Sequence, residues 1–307
     1  IVDMLLPEDI GVQKCSRKGV TQFIFPLGNE TKDTKTAVSE IEKGLIELDG
    51  NAITFLTHIK KIIFKLPDNS IGSIISETDE KKVQTISVYH PGNATPDKIY
   101  FLKFDKEVPV IIKGKKENRS VSIAYRMIKY DMQSFKFDPS LQGKVFIYFP
   151  AEKETHNLRF NINAPFASTV ARDSVRDCPE NWDLINKISD LVCEWVDWIK
   201  DNGYWDRSIY SVLPHSRDIN IQDRLLEKLQ SKVIEKFSTS NLMQIDKDLF
   251  VYPKECVQLG RNIAKLFSNE EFKQLDGRNF IYAAQPYVST LPITNEIHFF
   301  NDLSIAI

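Results

Sequence analysis

The feature that most constrains the fold is a long run of β-strand patterns between residues 60 and 163. Short apolar segments bounded by turn residues recur through this stretch, and Ser120–Met127 alternates apolar and polar residues. Alternation with a period of two is typical of a strand with one buried face. The turn pairs Asp68-Asn69, Pro91-Gly92 and Lys113-Gly114 separate neighbouring segments. We therefore predict a sheet here, antiparallel in large part.

The individual strands are predicted from apolar runs that lie between turn signals. They are Lys61–Leu66, Ser70–Ser76, Val83–His90, Lys98–Phe104, Val108–Lys113, Ser120–Met127, Lys144–Phe149 and Leu158–Ile162.

Helical periodicity replaces the strand pattern after residue 176. Apolar residues recur at steps of three and four over residues 184–199 and again over 225–237, which is typical of helices with one buried face. Asp177 and Pro179 suit the start of the first helix, and Asn202-Gly203 suits its end. All the tryptophans lie in this region, and we interpret them as core residues in preference to a recognition surface. They are Trp182, Trp195, Trp198 and Trp205.

Two smaller elements flank this central part. A helix is predicted over Val38–Leu48, and a small mixed module follows Ser238. That module has predicted strands at Leu249–Pro253 and Phe280–Ala283 and a predicted helix at Glu255–Phe267. The fold class is therefore predicted as α/β (mixed α+β), a mixed sheet with packed helices plus a C-terminal helical and small α/β module.

Composition narrows the class of partner. The chain has 307 residues, a formal net charge of -2 and a hydrophobic fraction of 42%. The chain lacks the excess of basic residues that would favour a nucleic-acid partner, and it contains no apolar stretch long enough to span a membrane. The four cysteines match neither a disulfide framework nor a metal knuckle, so we expect a cytoplasmic protein with reduced thiols. Because the chain begins at Ile1, we expect a fragment or a processed product.

The most informative segment for function is Asn161 to Arg176, NINAPFASTVARDSVR. It follows a predicted strand and presents two arginines and one aspartate, and Asp177 follows directly before a predicted helix. An arginine on such a loop can hold a phosphate, because the guanidinium donates hydrogen bonds in a planar fork. The alternative is that Arg172 and Asp173 are surface charges or pair with each other.

Two stretches of the chain resemble sacsin-like proteins of the superfamily that contains the ninety-kilodalton heat-shock chaperone (the GHKL, Bergerat-fold ATPases). One is Phe25 to Ile62, FPLGNET…AVSEIEKGLIELDGNAITFLTHIKKI, and the other is Val145 to Val175. The resemblance extends in patches over roughly residues 19–215. Both stretches are similar to the region that follows the ATP-binding domain in those proteins.

The resemblance implies specific roles. In the chaperone's middle domain a Ser-Arg-Glu motif supplies an arginine to the γ-phosphate of ATP, and Ala171-Arg172-Asp173 stands at that place here. Arg172 is therefore the predicted catalytic residue, stabilising developing charge. Thr21 matches a threonine of the family's adenine-binding network, with a threonine in a buried edge of a sheet as the alternative. Arg176 stands where the family has a glutamine. Thr21 and Arg176 are the predicted cofactor-binding residues.

The resemblance also implies a division of labour. The family's nucleotide pocket requires a helix with Glu and Asn, an Asp-x-Gly-x-Gly turn and a glycine-rich lid, and the sequence contains none of these. ATP and Mg²⁺ are therefore expected in a longer protein and not on this chain alone. We predict that residues 1–30 are the tail of a nucleotide-binding domain, 31–215 a middle or transducer-like domain, and 216–307 a C-terminal module.

The function expected from the resemblance is coupling of ATP binding in the preceding domain to a conformational change. The output is a chaperone-like action on a client or a role in anti-phage defence, and the partners are the preceding domain, a client or effector protein and a second copy in a homodimer. The alternative is a non-catalytic protein–protein interaction module. A standalone hydrolase ranks last, because no nucleophile-elbow pattern surrounds the serines.

Overall fold

The computed structural model describes residues 32–112, 115–130, 134–151, 153–154, 157–170, 173–218, 224–246, 249–258, 266, 271, 274, 281–283 and 294–305. The chain divides into two compact units, Ile1–Glu47 and Leu48–Ile307. The predicted boundaries at 30/31 and 215/216 remain predictions.

The described part of the first unit is a capped helix, α1 (Thr34–Ile46). Asp33 caps it, because its Oδ1 accepts a hydrogen bond from the backbone N–H of Thr36 at 3.0 Å. The predicted helix over residues 38–48 is confirmed. It begins earlier than its apolar pattern because the cap lies before the first apolar residue.

A nine-stranded mixed sheet forms the centre of the second unit. The strands are β1 (Lys61–Lys65), β2 (Ile71–Thr78), β3 (Val83–Tyr89), β4 (Asp97–Ile112), β5 (Lys115–Lys129), β6 (Phe135–Phe137), β7 (Val145–Ile147), β8 (Phe149–Pro150) and β9 (Asn161–Asn163). Strands β1 to β5 form an antiparallel meander, β9 pairs antiparallel with β5, and β7 pairs parallel with β9. The predicted fold class is confirmed.

The predicted strands needed correction at two places. Lys98–Phe104 and the described residues 108–112 of Val108–Lys113 belong to a single strand, β4, that runs through Pro109. Within the described residues, β3 pairs with β4 only as far as Leu102, so β5 is the one neighbouring strand at Pro109. A residue without a backbone N–H is tolerated there, because one edge of β4 is unpaired among these residues. Lys144–Phe149 is divided into β7 and β8, because Tyr148 adopts a positive φ of 69° that interrupts the extended backbone.

The remaining elements are α2 (Pro179–Asp201), α3 (Arg224–Ser238), β10 (Met243–Asp246), β11 (Leu249–Val251), β12 (Cys256–Gln258), β13 (Ile281–Ala283) and α4 (Thr294–Asp302). Both long helices are confirmed. The N-cap of α2 is Cys178, with Pro179 in the first turn, and the helix ends at Asn202 before Gly203, whose φ is 73°. Across the described residues, the helices are all too short or too polar to traverse a bilayer.

The predicted helix at Glu255–Phe267 is wrong at its beginning. Residues Pro253–Glu255 form a 3-10 turn, and β12 follows immediately and pairs parallel with β13. Pairing with a distant strand overrides the local helical pattern here. Residues 259–265 and 267 lie outside the described residues.

Stacked aromatic rings at the centre of the core fix α2 to the sheet. The rings of Tyr125 on β5 and Trp195 on α2 are parallel within 2°, with centroids 3.8 Å apart. Phe160 stacks against Tyr125 at 4.5 Å, and Phe137 meets the edge of Trp195 at 5.4 Å. All four side chains are fully buried. The interpretation of Trp195 as a core residue is therefore confirmed.

The C-terminal elements share this core. Tyr210 lies in the 3-10 segment Arg207–Ser211, and its ring contacts Phe237 of α3 and Phe300 of α4. The hydroxyl of Tyr210 donates to the carbonyl of Leu242 at 3.0 Å. One continuous hydrophobic cluster runs from the sheet through α2 and α3 to α4.

We expect the two stacked rings to respond differently to substitution. Trp195→Ala removes a fully buried ring and leaves a cavity, so the free energy of unfolding should fall by about 3–5 kcal/mol. Tyr125→Phe should change it by less than about 1 kcal/mol, because the buried hydroxyl has no hydrogen-bond partner among the described residues. Urea unfolding of both variants checks this, and a large loss in Tyr125→Phe would contradict it.

Candidate functional site

The segment that carries the predicted arginines is a short two-armed loop between β9 and α2, which we call the arginine loop (residues 167–176). Ser168 and Val175 form an antiparallel bridge. The N–H of Arg176 donates to the carbonyl of Ala167 at 2.9 Å, and the N–H of Thr169 donates to the carbonyl of Ser174 at 3.1 Å. The two arms are thus joined along their length.

A buried asparagine in the first turn of α2 holds the base of the arginine loop. Asn181 is fully buried. Its Oδ1 accepts from the N–H of Ala167 at 2.8 Å, and its Nδ2 donates to the carbonyls of Ala167 at 2.8 Å and Arg176 at 2.7 Å. The side chain therefore satisfies three backbone groups, two on one arm and one on the other. Because α2 is packed on the sheet through Trp195, the base of the loop is fixed to the core.

The segment after β8 supports the outer part of the loop. Lys153 forms an ion pair with Asp173, with Nζ 2.5 Å from Oδ2, and its backbone N–H donates to the carbonyl of Asp173 at 2.8 Å. The hydroxyl of Thr169 donates to Oδ1 of Asp173 at 2.7 Å. These hydrogen bonds, from Lys153 first, hold the pKa of Asp173 below its usual value. Glu154 accepts from the N–H of Val175 at 2.5 Å.

The predicted site residues are only partly within the described structure. Arg172 and Thr21 lie outside the described residues, and the flanks of Arg172 are described up to Val170 and from Asp173. Arg176 is described and its side chain is exposed, while its backbone closes the loop. Of the three predicted residues, only Arg176 belongs to the described part of the chain, and the site of Arg172, Thr21 and Arg176 stays a prediction.

Four backbone N–H groups of the described loop are not available to hold a phosphate. The N–H groups of Ala167, Thr169, Val175 and Arg176 all donate within the molecule. An amide cradle of the kind that holds phosphate in glycine-rich loops is therefore absent from these four positions. A phosphate contact at these positions would have to come from side chains, of which the exposed guanidinium of Arg176 is one.

The structure shows a buried polar cluster that the sequence patterns did not indicate. Arg159 donates to both carboxylate oxygens of Asp218 at 2.8 Å and to Oδ1 of Asn295 at 2.8 Å. His215 lies beside this pair, with Nε2 3.4 Å from a guanidinium nitrogen. Arg159 stands just before β9, so the cluster connects the strand that leads into the arginine loop with α4. The partners are 59 and 136 residues away in sequence, beyond the reach of any local motif.

Burial perturbs the titration of this cluster. Burial first, and then the charge of Arg159, lower the pKa of His215 to about 4. Burial raises the pKa of Asp218 to about 6, and the Arg159 guanidinium opposes that rise. His215 is therefore neutral at pH 7. Strongly perturbed pKa values mark functional sites and also structural ion-pair networks, and the position of this one between secondary-structure elements favours the second reading.

Among the described residues, no group of three or more His, Cys, Asp and Glu side chains is arranged to hold a metal ion. Comparison with protein families, with curated proteins and with solved structures found no match to this chain. The resemblance stated from the sequence therefore rests on its own motifs.

We expect Asn181→Ala to loosen the arginine loop without unfolding the sheet. The substitution removes the Oδ1 that accepts from the N–H of Ala167 and the Nδ2 that donates to the carbonyls of Ala167 and Arg176. Each of these hydrogen bonds is worth about 1 kcal/mol. Hydrogen–deuterium exchange should speed up in a peptide spanning residues 167–176 and stay unchanged in β3 and β4. Exchange that is unchanged in the loop, or faster throughout the chain, would contradict the clamp.

We also expect His215 to make the folded state sensitive to acid. Its folded pKa is below the usual value, so from about pH 6.5 to pH 4 the unfolded chain takes up a proton that the folded chain does not. The His215 contribution to stability should therefore fall by roughly 2 kcal/mol as the pH drops through this window. Asp218, whose folded pKa is raised to about 6, contributes in the opposite direction between about pH 6 and pH 4. His215→Gln cannot titrate, so its unfolding free energy should decline less over the same window. Equal declines in the two proteins would refute the assignment.

Proposed function

We propose that this chain couples ATP held by a preceding domain to a conformational change, with Arg172 as the contact to the γ-phosphate. The resemblance around Ala171-Arg172-Asp173 supplies the role. The observation that carries the proposal is the state of Asp173, the acidic neighbour of Arg172. Its two oxygens already accept from Thr169 and pair with Lys153, so Asp173 has partners within the frame of the loop and does not require Arg172 to balance its charge.

The arginine loop also has the mechanical properties that such a contact requires. A side chain that responds to one phosphate must be held by a rigid frame, because small displacements of a catalytic group are costly. Asn181 joins the base of the loop to α2, and Trp195 joins α2 to the sheet. A force on the tip of the loop is therefore passed to α2 and the sheet, which is the coupling we propose.

The chemistry asked of Arg172 is electrostatic. A guanidinium near the transferred phosphoryl group stabilises the charge that develops on its oxygens, and one such group contributes up to a few kcal/mol in a site that excludes water. ATP and Mg²⁺ would be held by the preceding domain. In this proposal the output is chaperone-like action on a client or effector protein, or anti-phage defence, in the cytoplasm.

A second function, a non-catalytic interaction module, is favoured by apolar side chains on the surface. Val170 is fully exposed at the tip of the arginine loop, and Tyr148 and Phe149 are exposed on the segment before Lys153. In this reading the loop holds a protein partner and no nucleotide. The ATP hydrolysis measurement described next separates the two functions.

The test is steady-state ATP hydrolysis by the longer protein in which the proposal places an ATP-binding domain ahead of this segment. Arg172→Ala should lower turnover by about a hundredfold or more, because a charge-stabilising contact is lost. The affinity for ATP should change little, because the preceding domain holds the nucleotide. Circular dichroism checks that the variant is folded.

The matched control is Arg176→Gln on the same loop. It removes an exposed guanidinium, introduces the residue that the family has at this place, and leaves the backbone bonds of Arg176 intact. Arg176 is itself a predicted cofactor-binding residue, and a glutamine amide can still donate a hydrogen bond to the nucleotide. We therefore expect its turnover to fall far less than that of Arg172→Ala. Equal turnover in wild type and Arg172→Ala, or no ATP hydrolysis in the longer protein, would refute the proposal and leave the interaction module.

A further inference from the structure

A concave surface lies apart from the arginine loop, at the C-terminal end of α2. It is an open cleft of about 950 Å³. Its walls are the turn between β2 and β3 (residues 79–81), the start of β6 (residues 134–136) and the C-terminal end of α2 with the segment that follows (residues 198–206). Cavities of this size accommodate small organic ligands or one or two side chains of a peptide.

Aromatic rings form much of the wall. Trp198 and Tyr204 are stacked, with centroids 5.4 Å apart and planes 23° apart. Trp205 and Phe135 also line the cleft. All four rings are partly exposed, so π-faces or edges are accessible to a ligand. Aromatic faces carry partial negative charge and attract cations such as ammonium and guanidinium groups.

Carboxylates accompany these rings. Asp79, Glu80 and Asp206 line the cleft against two lysines, Lys81 and Lys136. The ammonium of Lys136 lies 4.3 Å from the ring centroid of Tyr130, so its charge already has an aromatic partner. The C-terminus of α2 at Asn202 is also part of the wall, and the carbonyl end of a helix favours positive charge.

One ring of this wall, that of Trp198, already lies near a cation of the chain itself. The ammonium of Lys82 lies 4.5 Å from the ring centroid of Phe104 and 5.8 Å from that of Trp198. Asp79 is near Tyr204, since burial and then the charge of Asp79 raise the pKa of the Tyr204 hydroxyl. Rings and carboxylates are therefore neighbours, which is the combination that recognises organic cations.

We propose that this cleft binds an organic cation, an ammonium or guanidinium group, against Trp198, Tyr204 and the carboxylates of Asp79 and Glu80. The source of the cation is either a free polyamine or a basic side chain of a peptide. This site is separate from the arginine loop, and its test does not depend on ATP.

The experiment titrates the chain with three probes and follows tryptophan fluorescence and chemical shifts. The probes are spermidine, N-acetyl-arginine methylamide and N-acetyl-citrulline methylamide, the neutral isostere of the second. We expect a cationic probe to bind with a Kd of about 1 mM or tighter, and the citrulline probe to bind at least about tenfold more weakly. Tighter binding of spermidine assigns the site to polyamines, and tighter binding of the arginine probe assigns it to peptides.

The variants locate the binding. Asp79→Asn combined with Glu80→Gln removes two charges and keeps the Oδ1 that accepts from the N–H groups of Lys81 and Val83. We expect it to weaken cation binding at least about tenfold, and Tyr204→Ala to weaken it as well. The control is Glu235→Gln, an exposed carboxylate on α3. No binding of either cation at about 10 mM, equal binding of the citrulline probe, or unchanged affinity in the charge variant would overturn the proposal.

Discussion

The central contact of the core is the stack of Tyr125 on Trp195, which holds α2 against the sheet. It is the point where the longest described helix meets the centre of the sheet, and Phe160 and Phe137 extend it on two sides. Large buried rings contribute more apolar area per residue than any other side chains, so a four-ring cluster is a strong local source of stability. It also fixes the rotation of α2 about its axis. Both candidate sites lie at the ends of that helix.

The two ends of α2 serve different purposes. At the N-terminal end, Asn181 exchanges three hydrogen bonds with the arginine loop, and the loop continues back to β9. At the C-terminal end, Trp198 and the residues after Asn202 form one wall of the aromatic cleft. Elsewhere in the fold, Arg159 ties the segment before β9 to the C-terminal helix α4 through Asn295. The helix α2 thus connects the two surfaces that we propose as ligand sites.

Local periodicity was enough to predict most of the secondary structure and the fold class. The strand β3 and the helix α2 both have strong periodic patterns of apolar residues. The neighbours of β3 in the sheet are also close to it in sequence. The failures have physical causes. Pro109 is tolerated inside β4 because the pairing of β4 with β3 ends before it. Tyr148 interrupts a predicted strand because its φ is positive. The strand β12 forms because it pairs with β13, which is distant in sequence. None of these is visible in a window of a few residues.

The candidate sites divide in the same way. The arginine loop was found because its residues are contiguous, although Asn181, which holds it, looked like an ordinary first-turn residue. The Arg159 cluster and the aromatic cleft were missed because their members come from distant parts of the chain. Long-range polar contacts of this kind carry no periodic signal, and only the fold assembles them.

The central claim is that the arginine loop responds to the γ-phosphate of ATP. The most direct measurement is hydrogen–deuterium exchange of residues 167–176 in the longer protein, compared between ADP and a non-hydrolysable ATP analogue. We expect exchange in the loop to slow with the ATP analogue and not with ADP, because only the analogue carries a γ-phosphate for Arg172. Equal exchange with both nucleotides would refute a γ-phosphate contact by the loop.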